Sequence, residues 1–157
     1  MDLSKAFDCM PHKLLIAKMK AYGMTNPACK ILESYLTDRE QRVKIGQTTS
    51  TWQNIEKCVP QGSIIGPILF NVFINDIFYL IKIGLLTNYA DDNTISVSSR
   101  SLDHVIETLT DETAAAIIWF DKNLMQANPS KFQAIFLGCK QDQVCLQVGD
   151  KQIAAFD

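Results

Sequence analysis

The sequence predicts an α+β fold, in which a largely antiparallel sheet carries helices packed on one face. Three observations point there. Segments with apolar residues at helical spacing alternate irregularly with short β-prone runs, not in the strict βαβα order of a parallel sheet. The β-prone runs are joined by short turns, as hairpins are. And 157 residues, 47% apolar and 20% charged, suit one domain able to bury a real core.

The elements follow in order. Pro11 to Tyr22 reads as a helix, with proline in its first turn and Gly23 just past its end. Asn26-Pro27 opens a second helix as N-cap and N1, with Ala28, Ile31, Leu32, Tyr35 and Leu36 on one stripe. Gln41 to Ile45 and Trp52 to Val59 read as a hairpin around Gly46 to Ser50. The polar turn Pro60-Gln61-Gly62-Ser63 leads into a long apolar helix, Gly66 to Ile81. A second hairpin spans Leu85 to Val97. Ser101 caps a helix whose stripe is Leu102, Val105, Ile106, Leu109, Ala116, Ile117, Phe120 and Leu124, stopped by Asn128-Pro129. Gln133 to Leu137 is a predicted strand. Val144 to Val148 and Gln152 to Ala155 form a predicted last hairpin about Gly149-Asp150.

Composition excludes several classes. A net charge of −2 gives no global basic footprint for nucleic acid, although a local basic groove is compatible with it. The five cysteines are an odd, widely spaced set without C-x-x-C, which argues against a disulfide framework or a structural zinc site. With no apolar signal region after Met1, the expected location is intracellular, nucleus or cytoplasm, and not secreted. Ile64 to Leu86 is apolar, but Asn71, Asn75, Asp76 and Lys82 interrupt it, so a buried helix is expected and no membrane partner.

The chemistry centres on Tyr89-Ala90-Asp91-Asp92. Side chains alternate faces along a strand, so adjacent carboxylates converge on one site only where the chain turns. Their mutual repulsion is relieved by a divalent cation, and hard oxygen ligands select Mg²⁺ or Mn²⁺. Taken alone, Asp91-Asp92-Asn93 suits a solvated turn equally well. A two-metal site needs a further carboxylate from another strand, and the N-terminal run Asp2-Leu3-Ser4-Lys5-Ala6-Phe7-Asp8 offers a candidate in Asp2, which taken alone suits a polar residue near a chain end. Asp8 and His12 suggest a local structural hydrogen bond. Arg39, Arg42 and Lys44 form a small basic cluster that suits either template phosphates or a solvated strand edge.

Asp2-Leu3-Ser4-Lys5-Ala6-Phe7-Asp8, then Val59-Pro60-Gln61-Gly62-Ser63 with the apolar run to Phe70, then Tyr89-Ala90-Asp91-Asp92, resemble motifs A, B and C of reverse transcriptases, in the family's order. Asn128-Pro129-Ser130-Lys131 resembles motif D. The wording is nearest to non-LTR (LINE-type) retrotransposon enzymes and covers about Asp2 to Leu137. The resemblance implies a polymerase palm over residues 1–157, with fingers and thumb largely missing and a thumb or primer grip beginning at 140–157. It implies an RNA-directed DNA polymerase that transfers a nucleotide from a dNTP to a primer 3′-hydroxyl, with an RNA template and DNA primer as partners and two Mg²⁺ or Mn²⁺ ions as cofactors.

The implied site residues are Asp2, Asp91 and Asp92 as metal ligands and catalytic groups, with Lys131 as general acid toward pyrophosphate. Leu3, Phe7, Gln61 and Gly62 are implied to meet the substrate. Phe7 would exclude a 2′-hydroxyl, and Gln61 and Gly62 would line the nucleotide pocket. The family's fingers, thumb and endonuclease regions have no counterpart here, so they are expected in a longer polyprotein. Two alternatives stand beside the active palm: a catalytically inactive remnant of a decayed retroelement, and a group II intron-type reverse transcriptase. A plain binding module would leave the ordered carboxylates unexplained.

Overall fold

A computed structural model describes residues 1, 3–4, 6–60, 62–138, 144–148 and 151–154. Among them the strands are β1 (Leu3–Ser4), β2 (Glu40–Gln41), β3 (Lys44–Ile45), β4 (Thr48–Thr49), β5 (Gln53–Asn54), β6 (Leu85–Tyr89), β7 (Asp92–Ser96), β8 (Gln126–Ala127), β9 (Cys145–Val148) and β10 (Lys151–Ala154). The helices are α1 (Ala6–Cys9), α2 (His12–Ala21), α3 (Asn26–Leu36), α4 (Gly66–Ile74) and α5 (Leu102–Lys122). The chain divides into two compact units, one of Phe7–Ile74 and one of Met1–Ala6 with Asn75–Asp157.

In the unit Phe7–Ile74, α2 packs against α3 and α4. Helix α2 buries His12, Leu15, Ile16 and Met19, a stripe at helical spacing. It ends at Gly23, whose φ of +91° is a left-handed exit open to glycine. Lys18 on the same helix is buried. Its Nζ donates to Phe73 O at 2.8 Å and lies 4.5 Å from the centre of the Phe73 ring, so α2 and α4 are joined by a satisfied cation. His12 Nε2 donates to Cys58 O at 2.6 Å. The expected structural role of His12 is thus met by a partner distant in sequence, not by a local one. Burial pushes the Cys58 thiol pKa up, Arg39 beside it pulls it down, and Asp8 raises it further.

The predicted first hairpin forms as two short ladders, β2 with β5 and β3 with β4, but it turns at Gly46-Gln47 and not over Gly46 to Ser50, and of the run Trp52 to Val59 only Gln53–Asn54 is a strand. Ser50 N still reaches Val43 O, but Glu40 and Gln41 then face Asn54 and Gln53. One extra residue on the returning strand, at Thr51-Trp52, makes this step a bulge. Every residue of these four strands is exposed. Arg42 stacks its guanidinium 4.5 Å over Trp52, and Arg39 lies beside the Cys58 thiol.

In the other unit, α5 packs against β7, β8 and β9. Ser101 caps α5 as expected, accepting from His104 N at 3.4 Å. Its buried face includes Thr108, Glu112 and Thr113 as well as Ala116 and Phe120. Phe132, Leu146, Val148 and Ile153 form a core cluster against which Met1, Ile106, Leu109 and Ile117 pack. The predicted last hairpin forms, with Lys151 opposite Val148, so its return strand begins one residue before the predicted Gln152; Ala155 lies outside the described residues.

Several expectations are corrected. All pairing is antiparallel, but the described strands make five two-stranded ladders and not one continuous sheet. The helix predicted to reach Ile81 is α-helical only to Ile74 and tightens into a 3₁₀ turn over Asn75–Tyr79. Helix α5 stops at Lys122, before Asn128-Pro129. Asn123 caps it by donating from Nδ2 to Trp119 O at 2.8 Å, and Leu124 at φ +58° breaks the helical path. Leu124 is therefore exposed and not part of the stripe. Residues 133–137 form no strand: Phe132 and Phe136 go into the core, and only Ala134 makes a bridge. In α3, Ile31 is 71% exposed, and Cys29 and Leu36 carry the buried face.

Candidate active site

The carboxylate hairpin is β6–β7, paired from Leu85 opposite Ser96 to Tyr89 opposite Asp92. Ala90 and Asp91 form the two-residue loop. Ala90 has φ +53°, a left-handed value that favours glycine, while Asp91 does not share it. Asp91 is half-buried in the turn, and Asp92 is exposed at the first position of β7. Both carboxylates therefore sit at the tip, as their spacing predicts.

The base of the hairpin is held by a carboxylate from α5. Glu112 is buried, and it accepts from Lys82 N at 2.8 Å, Ile83 N at 2.7 Å and Gly84 N at 3.0 Å. Three backbone donors satisfy a charge that would otherwise be costly to bury. Gly84 is required by this close approach. A Cβ there would stand 2.5 Å from Glu112 Oε2 and 3.0 Å from Ile95 Cγ2.

Two asparagines hold the tip, and sequence reasoning did not single them out. Asn88 and Asn93 face each other across the ladder. Asn88 Nδ2 donates to Asn93 Oδ1 at 2.9 Å and to Ala90 O at 2.9 Å. Asn93 is fully buried, and its Nδ2 donates to Asp91 O at 3.0 Å. The signal available in the sequence was an amide on each side of Tyr89-Ala90-Asp91-Asp92.

Asp2 lies outside the described residues. Its neighbours are both tied by backbone hydrogen bonds. Met1 exchanges two with Asn93: Asn93 N donates to Met1 O at 3.2 Å and the Met1 ammonium donates to Asn93 O at 2.6 Å. Leu3 and Ser4 pair with Ala127 and Gln126 of β8. The Leu3 side chain is buried in the core.

Lys131 is exposed at the end of the 3₁₀ turn Pro129–Lys131, where its N donates to Asn128 O at 3.0 Å. Met1, Asp91, Asp92 and Lys131 line one concave surface of this unit. The donor chemistry there suits a hard divalent cation, since both described carboxylates offer oxygen ligands. Among the described residues no three His, Cys, Asp or Glu side chains come together as a metal cluster.

The remaining expected site residues belong to the unit Phe7–Ile74. Phe7, on α1, stacks on Phe70 of α4 with ring centroids 4.5 Å apart and planes at 30°. Gln61 lies outside the described residues. Gly62 has φ +81° with open space around it, so its backbone needs glycine although its surroundings do not. Ser63 Oγ then accepts from Gly66 N at 3.0 Å and opens α4. Among the described residues no helix is long and apolar enough to cross a membrane.

Comparison with known proteins agrees with the family resemblance. The chain matches the family of reverse transcriptases (RNA-dependent DNA polymerases) over residues 1–148. It is similar to the probable RNA-directed DNA polymerase from transposon BS of Drosophila melanogaster, 31% identical over 83% of this chain and 15% of that protein. It is similar to the probable RNA-directed DNA polymerase from transposon X-element of the same species, 33% identical over 64% of this chain and 11% of that protein. A third relative is the retrovirus-related Pol polyprotein from type-1 retrotransposable element R2 of Popillia japonica, 25% identical over 86% of this chain and 23% of that protein. The chain thus spans less than a quarter of the length of each of these relatives. A family match over residues 1–148 shows that the chain belongs to the reverse transcriptase family.

Proposed function

We propose that this chain is the palm of an RNA-directed DNA polymerase from a non-LTR retrotransposon, extending a DNA primer on an RNA template. The observation that carries the reading is the hairpin tip, where Asp91 and Asp92 are presented together on a turn braced from both strands. Asp2 joins them in this reading, supported by the pairing of its neighbour Met1 with Asn93.

Asp2, Asp91 and Asp92 would hold Mg²⁺ or Mn²⁺, which when bound lowers the pKa of the primer 3′-hydroxyl and stabilises the leaving oxygens. The 3′ oxygen forms its new bond to the α-phosphorus of the dNTP, and the bond to pyrophosphate breaks. Lys131 would give its ammonium proton to that pyrophosphate. Phe7, Gln61 and Gly62 would contact the incoming nucleotide, Phe7 by refusing a 2′-hydroxyl and Gly62 by letting backbone approach closely. Leu3 would act through its main chain, since its side chain is core. Beyond these groups the reaction asks for positioning and charge stabilisation.

The test is primer extension on an RNA template with Mg²⁺, in a protein that carries this palm together with the family's fingers and thumb, with and without Asp91→Asn. Loss of a charge-stabilising group of this kind costs on the order of 100-fold or more. Equal extension by both proteins, or none by the unaltered protein with fingers and thumb present, would overturn the reading.

A further inference from the structure

We infer that Asn93, together with Asn88, is the positioning residue that sets the carboxylate tip and registers it against the segment carrying Asp2. The inference rests on the proposed function and deepens it. The Asn93 side chain grips Asp91 through its carbonyl, and the Asn93 backbone exchanges two hydrogen bonds with Met1. One fully buried residue therefore touches both stretches of chain from which metal ligands are drawn.

Every amide group of this clasp has work that a hairpin alone would not need. A two-residue turn closes by its own ladder hydrogen bonds. Here Ala90 O and Asp91 O are additionally bound by Asn88 Nδ2 and Asn93 Nδ2, and Asn93 Oδ1 is satisfied by Asn88. These bonds fix the peptide planes on either side of the Asp91 Cα and so limit where its carboxylate points. Alanine at φ +53° has no intrinsic preference for that path, so the amides supply what a glycine tip would not need. Partners that orient metal ligands typically change metal affinity about 10- to 100-fold when lost.

The experiment measures Mn²⁺ binding by the loss of the free-ion EPR signal, with a thermal melt for each protein. Asn93→Leu and Asn88→Leu keep the branched shape and remove the amides, and Asp91→Asn reports the site itself. The expected result is that Asp91→Asn abolishes tight Mn²⁺ binding, while each asparagine variant weakens it about 10-fold in protein that still melts cooperatively. Asn88 is only half-buried, so its variant serves if Asn93→Leu does not fold. Unchanged Mn²⁺ affinity in the folded asparagine variants, with or without a lowered melting temperature, would make the clasp merely structural and overturn the inference while leaving the metal site standing. Mn²⁺ binding indifferent to Asp91→Asn would overturn the metal reading as well.

Discussion

The β3–β4 and β6–β7 hairpins turn through loops of the same length, Gly46-Gln47 and Ala90-Asp91, and each has a left-handed φ at its first loop residue, +60° and +53°. The first uses glycine, which adopts that value freely. The second uses alanine, for which it costs about 1–2 kcal/mol. The first stands exposed along both its strands, with Ile45 in water. The second buries Leu86 and Asn93, carries an amide clasp at its tip and a three-fold anchored carboxylate at its base. A turn that only connects strands can rely on glycine's freedom. A turn that must present two carboxylates is fixed by hydrogen bonds from outside the loop.

That contrast can be broken at its strongest point first. Glu112→Ala leaves three backbone N–H groups at the base of β6–β7 without their acceptor, and should lower stability by about 3 kcal/mol. Chemical denaturation reads the loss, and a change under 1 kcal/mol would show that water replaces the carboxylate and the base is not braced. Gly46→Ala comes next. Nothing lies within 4 Å of the new methyl, so the cost is backbone alone, about 1 kcal/mol. The reciprocal Ala90→Gly should shift stability by less than about 1 kcal/mol, because relief of the left-handed alanine is offset by a more flexible unfolded chain. Equal and large losses in both would mean that neither turn depends on its first residue as argued. The smallest effect is expected from Arg42→Ala, which removes an exposed stacking contact with Trp52 worth about 0.5 kcal/mol. The Trp52 emission should change with little movement of the melting temperature.

The sequence showed the two hairpins, the final one, and the start of α5, because each is written locally. Period-2 apolar runs end in turn residues, and Ser101 precedes a helical stripe. It did not show β1 and β8, which are two residues long and pair across nearly the entire chain. No local pattern encodes such a contact. The end of α5 was missed because Asn123 acts through a side-chain bond to Trp119 O, a weaker written signal than Asn128-Pro129. At the site, Asp91 and Asp92 were legible as adjacent acids between β-prone runs. Asn88, Asn93 and Glu112 were not, since a polar residue in an exposed run and one that is fully buried look alike until the partners are known.

The pairing of Met1 with Asn93, 92 residues away, and of β1 with β8 has a consequence for how the molecule comes together in time. During synthesis Met1 and β1 emerge long before either partner exists. The stretch Phe7–Ile74 can consolidate as its own unit while Met1–Ala6 waits. Only when Gln126 and Ala127 have left the ribosome can the N-terminal strand find both neighbours, and closing so wide a loop is slow compared with forming a local hairpin. The carboxylate neighbourhood is therefore completed only after the unit Phe7–Ile74 has had time to form.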